Sequence, residues 1–399
     1  MYTLGEWAYR VRYTLRRFVR ALRSRFSVER LSGPIQRADH TASIIVAGTR
    51  PGGGYPASLV FATTPERALL ADVPLWNLPS TLAQLSPSVD LVMARVDALS
   101  ASLLFGQNYL RAPAAVTPYL KVPRVLRLLT TGRNRKGLRN DLNRVARNGF
   151  TCQLSHSEAD LAEFYRDYYV PYARQRFGEH AFLVSHRLFR RRFKHGGLLW
   201  ALRDDERVAG ATFVHGRIVL RLEAIGARGG DTSIMQLGAF LALCWAQIEH
   251  AHALGCKEVN FGPSPAILTD GTLRFKRKFG ARIVDGGCSS RRLLRWQELN
   301  PTVLALLATA PLVFQEQGRA SAVTVLDTAK PASQETVTQA YRFLHMPGLH
   351  TIHLLSAAGF AEDVTAPPQS CLTDLSTLRD ENLATLLASG ALTHRAAQE

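Results

Sequence analysis

The sequence predicts an α/β (α+β) chain built on a mixed β-sheet flanked by helices, and three observations predict it. Residues 198–203 and 208–215 are strand-like runs joined by Asp204-Asp205-Glu206-Arg207, and the hairpin continues into a third strand at 217–225, as in a meander. Residues 217–285 then read as strand, Gly-rich turn (226–231), long helix (233–254), short strand (257–261), loop, basic segment and a last strand (281–285). A strand–helix–strand crossover brings a parallel strand into the same sheet, so the sheet is mixed. Finally, helical patterns at 135–147 and 157–177 precede the meander and supply its cover.

The 399 residues, 46% of them hydrophobic, allow two or three domains with cores of their own. We divide them into a basic amphipathic helix (1–32), a small α/β domain (33–120), a main domain (121–299) and an appendage without assigned role (300–399). The formal net charge is +17, yet from Asn300 onward there are 5 basic and 9 acidic residues. The positive field therefore belongs to the first three segments and suggests an anionic partner: nucleic acid, an acidic membrane face or a phosphate-bearing substrate. Cys152, Cys244, Cys256, Cys288 and Cys371 form no CxxC pair, which argues against a disulfide framework or a zinc knuckle and for a reducing compartment. No apolar h-region stands near the N-terminus, and the apolar run 303–314 is too short to span a bilayer. The expected location is cytoplasmic, with peripheral attachment to the inner membrane face as an option.

That option rests on the first helix. Leu4, Trp7, Val11, Leu15, Phe18, Leu22 and Phe26 recur at steps of three and four, which predicts a helix over 4–26. Arg12, Arg16, Arg20 and Arg23 fall on the other side. Such a helix either lies in an anionic membrane interface or docks on the protein's own core with a solvated Arg face. Strands are expected at 43–47 and 58–62 around a hairpin turn at 52–54, which no Lys-Ser/Thr helix follows as a phosphate loop would require. A helix at 75–85 and a strand at 89–96 come next. Residues 121–147 hold nine Lys/Arg against Asp141; their helix, closed by Gly149, is solvated or faces a polyanion. A strand is expected at 150–154. Ser157 caps the following helix, whose Phe164, Tyr165, Tyr168, Tyr169 and Tyr172 are core or substrate wall. A short Arg-rich helix covers 185–193. In the tail, strands are expected at 322–327 and 351–355 around a helix at 333–344.

Several residues are candidates for chemistry. A strand that turns through glycines into a helix N-terminus is an anion seat, which singles out Gly226 and the first helical turn. Glu223 is a carboxylate mid-strand in a run that otherwise looks buried, costly unless it is used or paired with Arg221 or Arg203. Asp270 is either a base or an ordinary Asp-Gly turn carboxylate. Lys276 either neutralises a phosphate or is a solvated charge, with Arg274 and Lys278 as further phosphate contacts. There is no Ser-His-Asp or Cys-His pattern. His250 and His252 point to different helix faces, and His350 and His353 lack carboxylate or Cys neighbours in sequence, so no metal is expected.

The segment Val259-Asn260-Phe261-Gly262 through Gly271, Phe275-Lys276-Arg277-Lys278-Phe279-Gly280 resembles the GNAT acyltransferase superfamily, and within it the FemAB-like branch with its BioF2-like members. That branch ends its crossover strand in Phe-Gly and continues, after a Gly-containing loop, into an FK-x-x-(F/W)-G segment. The similarity covers about 138–285 and extends weakly to 40–120, where the branch often carries a first, degenerate GNAT-like unit in tandem. The resemblance implies an N-acyltransferase moving an acyl or aminoacyl group from acyl-CoA (acetyl-CoA) or aminoacyl-tRNA to an amine of a cell-envelope or polysaccharide precursor. The residues expected to be catalytic are Glu223, Asp270 and Lys276, the last also pointed to by the resemblance, with donor contacts expected at Gly226, Ser233, Gln236, Gly238, Gly262, Arg274 and Lys278. In this fold a backbone N–H where two parallel strands part polarises the donor carbonyl, here expected at Gly226. The chain departs from the superfamily's Gln/Arg-x-x-Gly-x-Gly/Ala pyrophosphate signature: over 229–239 the glycines are loosely placed and Asp231 falls beside the phosphates. This fits the FemAB-like members, whose donor need not be coenzyme A. The competing class is a non-catalytic binder of RNA or anionic membranes on the same scaffold.

Overall fold

The computed structural model describes residues 4–36, 39–49, 55–132, 135–178, 183–284, 289–326, 330–378 and 383–392. The chain forms two compact units. Unit 1 comprises Met1–Val116, Ser264–Arg274 and Ile283–Glu399; unit 2 comprises Thr117–Pro263 and Phe275–Arg282. Their ends differ from the segment ends 32/33, 120/121 and 299/300 read from the sequence.

Unit 2 is a mixed sheet covered by helices, as expected. Thr151–Ser155, Gly196–Arg203, Glu206–His215 and Val219–Ala227 run antiparallel in a meander. Glu258–Asn260 then joins Val219–Ala227 in parallel, and Pro118–Lys121 closes on it antiparallel. The helical run from Thr232 to Ala253 makes the crossover. Its apolar residues, among them Leu243, Cys244 and Ile248, bury against Leu220, Phe213 and Val259. Burial pushes the Cys244 thiol up to about 12 against a smaller opposing pull from Lys276, so it is a protonated core residue. Ser157 caps its helix by accepting from the Asp160 N–H at 3.3 Å. That helix widens into a π-turn at Phe164–Tyr169, which sequence periodicity did not signal. Phe164, Tyr168, Tyr169 and Tyr172 are all buried, so the aromatic run is core.

Unit 1 has a mixed sheet of its own, ordered Glu66–Pro74, Arg25–Pro34, Thr41–Gly48, Leu91–Asp97, Ser290–Arg295 and Leu110–Pro113. The N-terminal helix stops at Leu22, not at 26. Phe26 and Val28 instead turn into the core from a strand paired on both sides, and those two ladders outweigh one more helical turn. The strand expected at 58–62 is absent: Tyr55–Ser58 is one helical turn, and Phe61 makes a single bridge to Ile35. The expected turn at 52–54 lies outside the described residues. In the tail, Leu312–Glu316, Arg319–Leu326, Ile352–Ser356 and Ser370–Asp374 form a second sheet, with helix Gln334–Leu344 as a crossover. The expected elements at 322–327, 333–344 and 351–355 fall within this sheet and its helix, Asp327 lying outside the described residues. Pro311 divides the apolar run 303–314 into helix and strand.

Candidate active site

Strand Val219–Ala227 changes its pairing at one point. On one edge Ala224 faces Thr212 and Leu222 faces Phe213, so Glu223 is the extra residue of a β-bulge. On the other edge the parallel ladder pairs Val219 with Glu258, Leu220 with Val259 and Arg221 with Asn260, and among the described residues it ends there. The bulge and the end of the ladder thus fall within two residues. The ladder stops after Arg221, short of the position expected at Gly226, while Gly262 still lies against the strand with its Cβ site 3.5 Å from the Leu222 carbonyl oxygen. Gly226 serves packing: a Cβ there would stand 2.6 Å from the Tyr168 carbonyl carbon, so the strand lies directly on the π-turn backbone.

The bulged carboxylate is paired. Glu223 is 11% exposed; it accepts from Arg192 Nη1 at 2.7 Å and from the Arg221 guanidinium. Arg203 pairs with Asp204 instead. Of the two sequence alternatives for Glu223, the ion pair is the one present, with Arg192 as a partner that sequence did not offer. Arg192 and Arg221 remain 39% and 46% exposed, so the carboxylate holds two cationic heads that reach solvent.

The parallel strand ends in a braced turn. Gly262 adopts φ 71° and its N–H donates to Asn260 Oδ1 at 2.8 Å. Asn260 Nδ2 donates to the Tyr119 hydroxyl at 2.9 Å. Lys276 Nζ donates to the Gly262 carbonyl at 2.8 Å and the Pro263 carbonyl at 3.2 Å, its side chain 4% exposed. These contacts turn the Lys276 ammonium toward two carbonyls of this turn, where the sequence offered a phosphate contact or a solvated charge. Asn260 and Tyr119 were not singled out from sequence; a polar residue directly before Phe261-Gly262 was the available signal.

The Gly-rich turn has positive φ at Gly229 and Gly230. At the helix start Asp231 Oδ1 accepts from the Ser233 N–H at 2.7 Å and its hydroxyl at 2.6 Å. These bonds, the hydroxyl's first, hold the Asp231 carboxyl below the usual range. A carboxylate therefore occupies the anion seat read from the sequence. Ser233 and Gln236 are exposed in this first stretch, whereas Gly238 is buried at φ 134°, where a Cβ would meet Val145 Cγ2 at 3.0 Å. Lys278 ties to Asp141 at 2.6 Å. Asp270 and Arg274 belong to unit 1: Asp270 Oδ1 accepts from the Leu273 N–H at 3.0 Å, a helix cap, and Arg274 stacks 4.5 Å over Phe343. The structure thus brings together Glu223, Gly262 and Lys276 with Asn260, and places the remaining residues elsewhere.

Residues 132–277 match the family model of an acetyltransferase (GNAT) domain. Among solved structures, L-PGS from Bacillus licheniformis is 13% identical over 69% of this chain and 87% of that one, with a TM-score of 0.33. FemX is 9% identical over 69% and 89%, with a TM-score of 0.34. A GNAT family acetyltransferase from Elizabethkingia anophelis with acetyl-CoA bound is 16% identical over 38% and 99%, with a TM-score of 0.25. No curated protein matches the chain. The bulged strand, its helical crossover and the braced Gly262 all lie inside the residues that match the acetyltransferase (GNAT) domain model.

Proposed function

We propose that unit 2 transfers an aminoacyl group from aminoacyl-tRNA to an amine of a cell-envelope or polysaccharide precursor, on the cytoplasmic side of the membrane. The end of the parallel ladder at Arg221 and Asn260, beside the Glu223 bulge, carries this reading. A strand edge beyond its ladder offers main-chain N–H groups to polarise a donor carbonyl and a place to hold donor and amine in line. Lys276 and Asn260 fix one wall through Gly262; Glu223 positions Arg192 and Arg221 at the other for an anionic part of donor or acceptor.

The choice of donor rests on Asp231. Acyl-CoA would set its pyrophosphate on the first turn of the crossover helix, where this carboxylate already accepts. The unit also exposes Arg139, Arg144 and Arg147 on helix Lys136–Arg147 and Arg187, Arg190 and Arg191 on helix His186–Phe193, a surface suited to a phosphate backbone. The test offers the full chain labelled aminoacyl-tRNA and labelled acetyl-CoA with amino-sugar and peptide amines. Label leaving tRNA for an amine supports the reading. Transfer from acetyl-CoA alone overturns the donor, and tRNA binding without transfer from either supports the non-catalytic alternative.

A further inference from the structure

We infer that unit 1 carries a docking surface for anionic lipid membranes, formed by the N-terminal helix together with Trp76 and Leu103. This goes beyond the acyl-transfer reading and stands on unit 1 alone. Helix Leu4–Leu22 is held by its inner face: Phe18 and Ala21 pack into the core with Val28, Leu75 and Ala101, and Arg17 donates to the hydroxyls of Ser289 and Ser290 at 3.0 and 2.6 Å. Its outer face carries Leu15, Val19 and Leu22, 50%, 46% and 36% exposed, at steps of four and three. The helix packs against Leu75–Asn77 and Ala98–Leu104, and those two elements expose Trp76 at 61% and Leu103 at 64%. Apolar side chains this exposed, on three adjoining elements, exceed the scattered leucine of an ordinary surface.

The charge around them selects the occupant. Arg12, Arg16, Arg20 and Arg23 are exposed beside the Leu15–Val19–Leu22 stripe. Residues 12–23, 75–77 and 98–104 contain no Asp or Glu. The carboxylates flanking two of these segments in sequence are engaged: Asp72 pairs with Arg25 at 2.7 Å, and Asp97 caps its helix from a buried position. An apolar stripe with an aromatic and uncompensated arginines is what a helix lying in an anionic interface presents: the apolar residues enter the acyl boundary while the guanidiniums stay with the phosphates. No described helix is long and apolar enough to cross a membrane, so the contact is one of lying on the surface.

The test sediments the full chain with vesicles of equal parts phosphatidylglycerol and phosphatidylcholine, and with phosphatidylcholine alone, at low and high salt. The expected result is binding to the anionic vesicles only, weakening with salt, with a blue shift of tryptophan fluorescence. Arg16→Glu with Arg20→Glu, and separately Leu15→Ser with Val19→Ser, weaken binding by about tenfold or more. Trp76→Ser, on a different element, reduces the blue shift with an unchanged unfolding midpoint. No sedimentation at low salt, equal binding to neutral vesicles, or indifference to both paired variants overturns the proposal. So does a concentration-dependent dimer that Leu15→Ser with Val19→Ser dissolves, which assigns the face to a second copy.

Discussion

The ammonium of Lys276 donates to the Gly262 carbonyl at 2.8 Å from a side chain that is only 4% exposed. This bond ties the basic segment to the residue at which the chain leaves the parallel strand. A buried ammonium is tolerated because carbonyl oxygens replace its water, and those carbonyls in turn depend on it.

Lys276→Met keeps the length of the side chain and removes the donor. The Gly262 and Pro263 carbonyls lose a charged partner, at a cost of about 1–3 kcal/mol in urea unfolding. In the transfer assay kcat falls with little change in KM for donor, since the variant loosens one wall without removing a substrate contact. An unchanged unfolding midpoint contradicts the bracing role.

Gly226 and Gly216 separate two kinds of glycine. Gly226→Ala pushes a methyl into the Tyr168 backbone and costs about 1–3 kcal/mol. Gly216 is exposed, with no atom nearer than 3.9 Å to its Cβ site, so Gly216→Ala is neutral or raises stability by about 0.5 kcal/mol. Thermal melts of the two variants check the contrast.

Glu223 and Arg192 form a pair at 2.7 Å that is dry on one side only. A double-mutant cycle of Glu223→Gln and Arg192→Gln gives a coupling of about 1 kcal/mol in stability. As a positioning residue, Glu223→Gln raises KM for the anionic substrate more than it lowers kcat. A kcat loss of about a hundredfold at constant KM makes it the general base instead.

Two residues apart in role from the site set a pH dependence. Sheet pairing sets His353 opposite Cys371 and brings its Nε2 to 3.1 Å from Glu316 Oε1, while Ser321 donates to the other oxygen at 2.6 Å. Burial by itself lowers the His353 pKa; the neighbouring Cys371 and the hydrogen bond and charge of Glu316 outweigh it and raise it to about 9. A histidine raised in the folded state contributes stability that is full below about pH 6.5 and is lost as pH climbs through about 9. The unfolding free energy from urea titrations across that window falls, by up to about 3 kcal/mol in total. His353→Gln with Glu316→Gln flattens the profile.

Much of unit 2 was legible because its signals are local. Ser157 and Gly149 mark helix ends by chain chemistry, and Phe261-Gly262 marks a turn that needs positive φ. The strand at Arg25–Pro34 was hidden since Phe26 also fits the helical step, and only its two sheet partners decide the matter. The Glu223 bulge is a property of register between strands, which no single strand's pattern contains. Lys276 was found as a residue and misplaced in role, because sequence shows a lysine in a basic run and not the two carbonyls it meets. His353 had no acidic or Cys neighbour along the chain; Glu316 and Cys371 reach it across the sheet.

The proposed acyl transfer from aminoacyl-tRNA takes place at the end of the parallel ladder beside Glu223. The most direct measurement is a single-turnover assay with labelled aminoacyl-tRNA, the full chain and an amine acceptor, with the product's mass read by spectrometry. The account predicts an acceptor heavier by one aminoacyl group, formed more slowly by Lys276→Met. An intact aminoacyl ester after incubation with folded, tRNA-bound protein contradicts it.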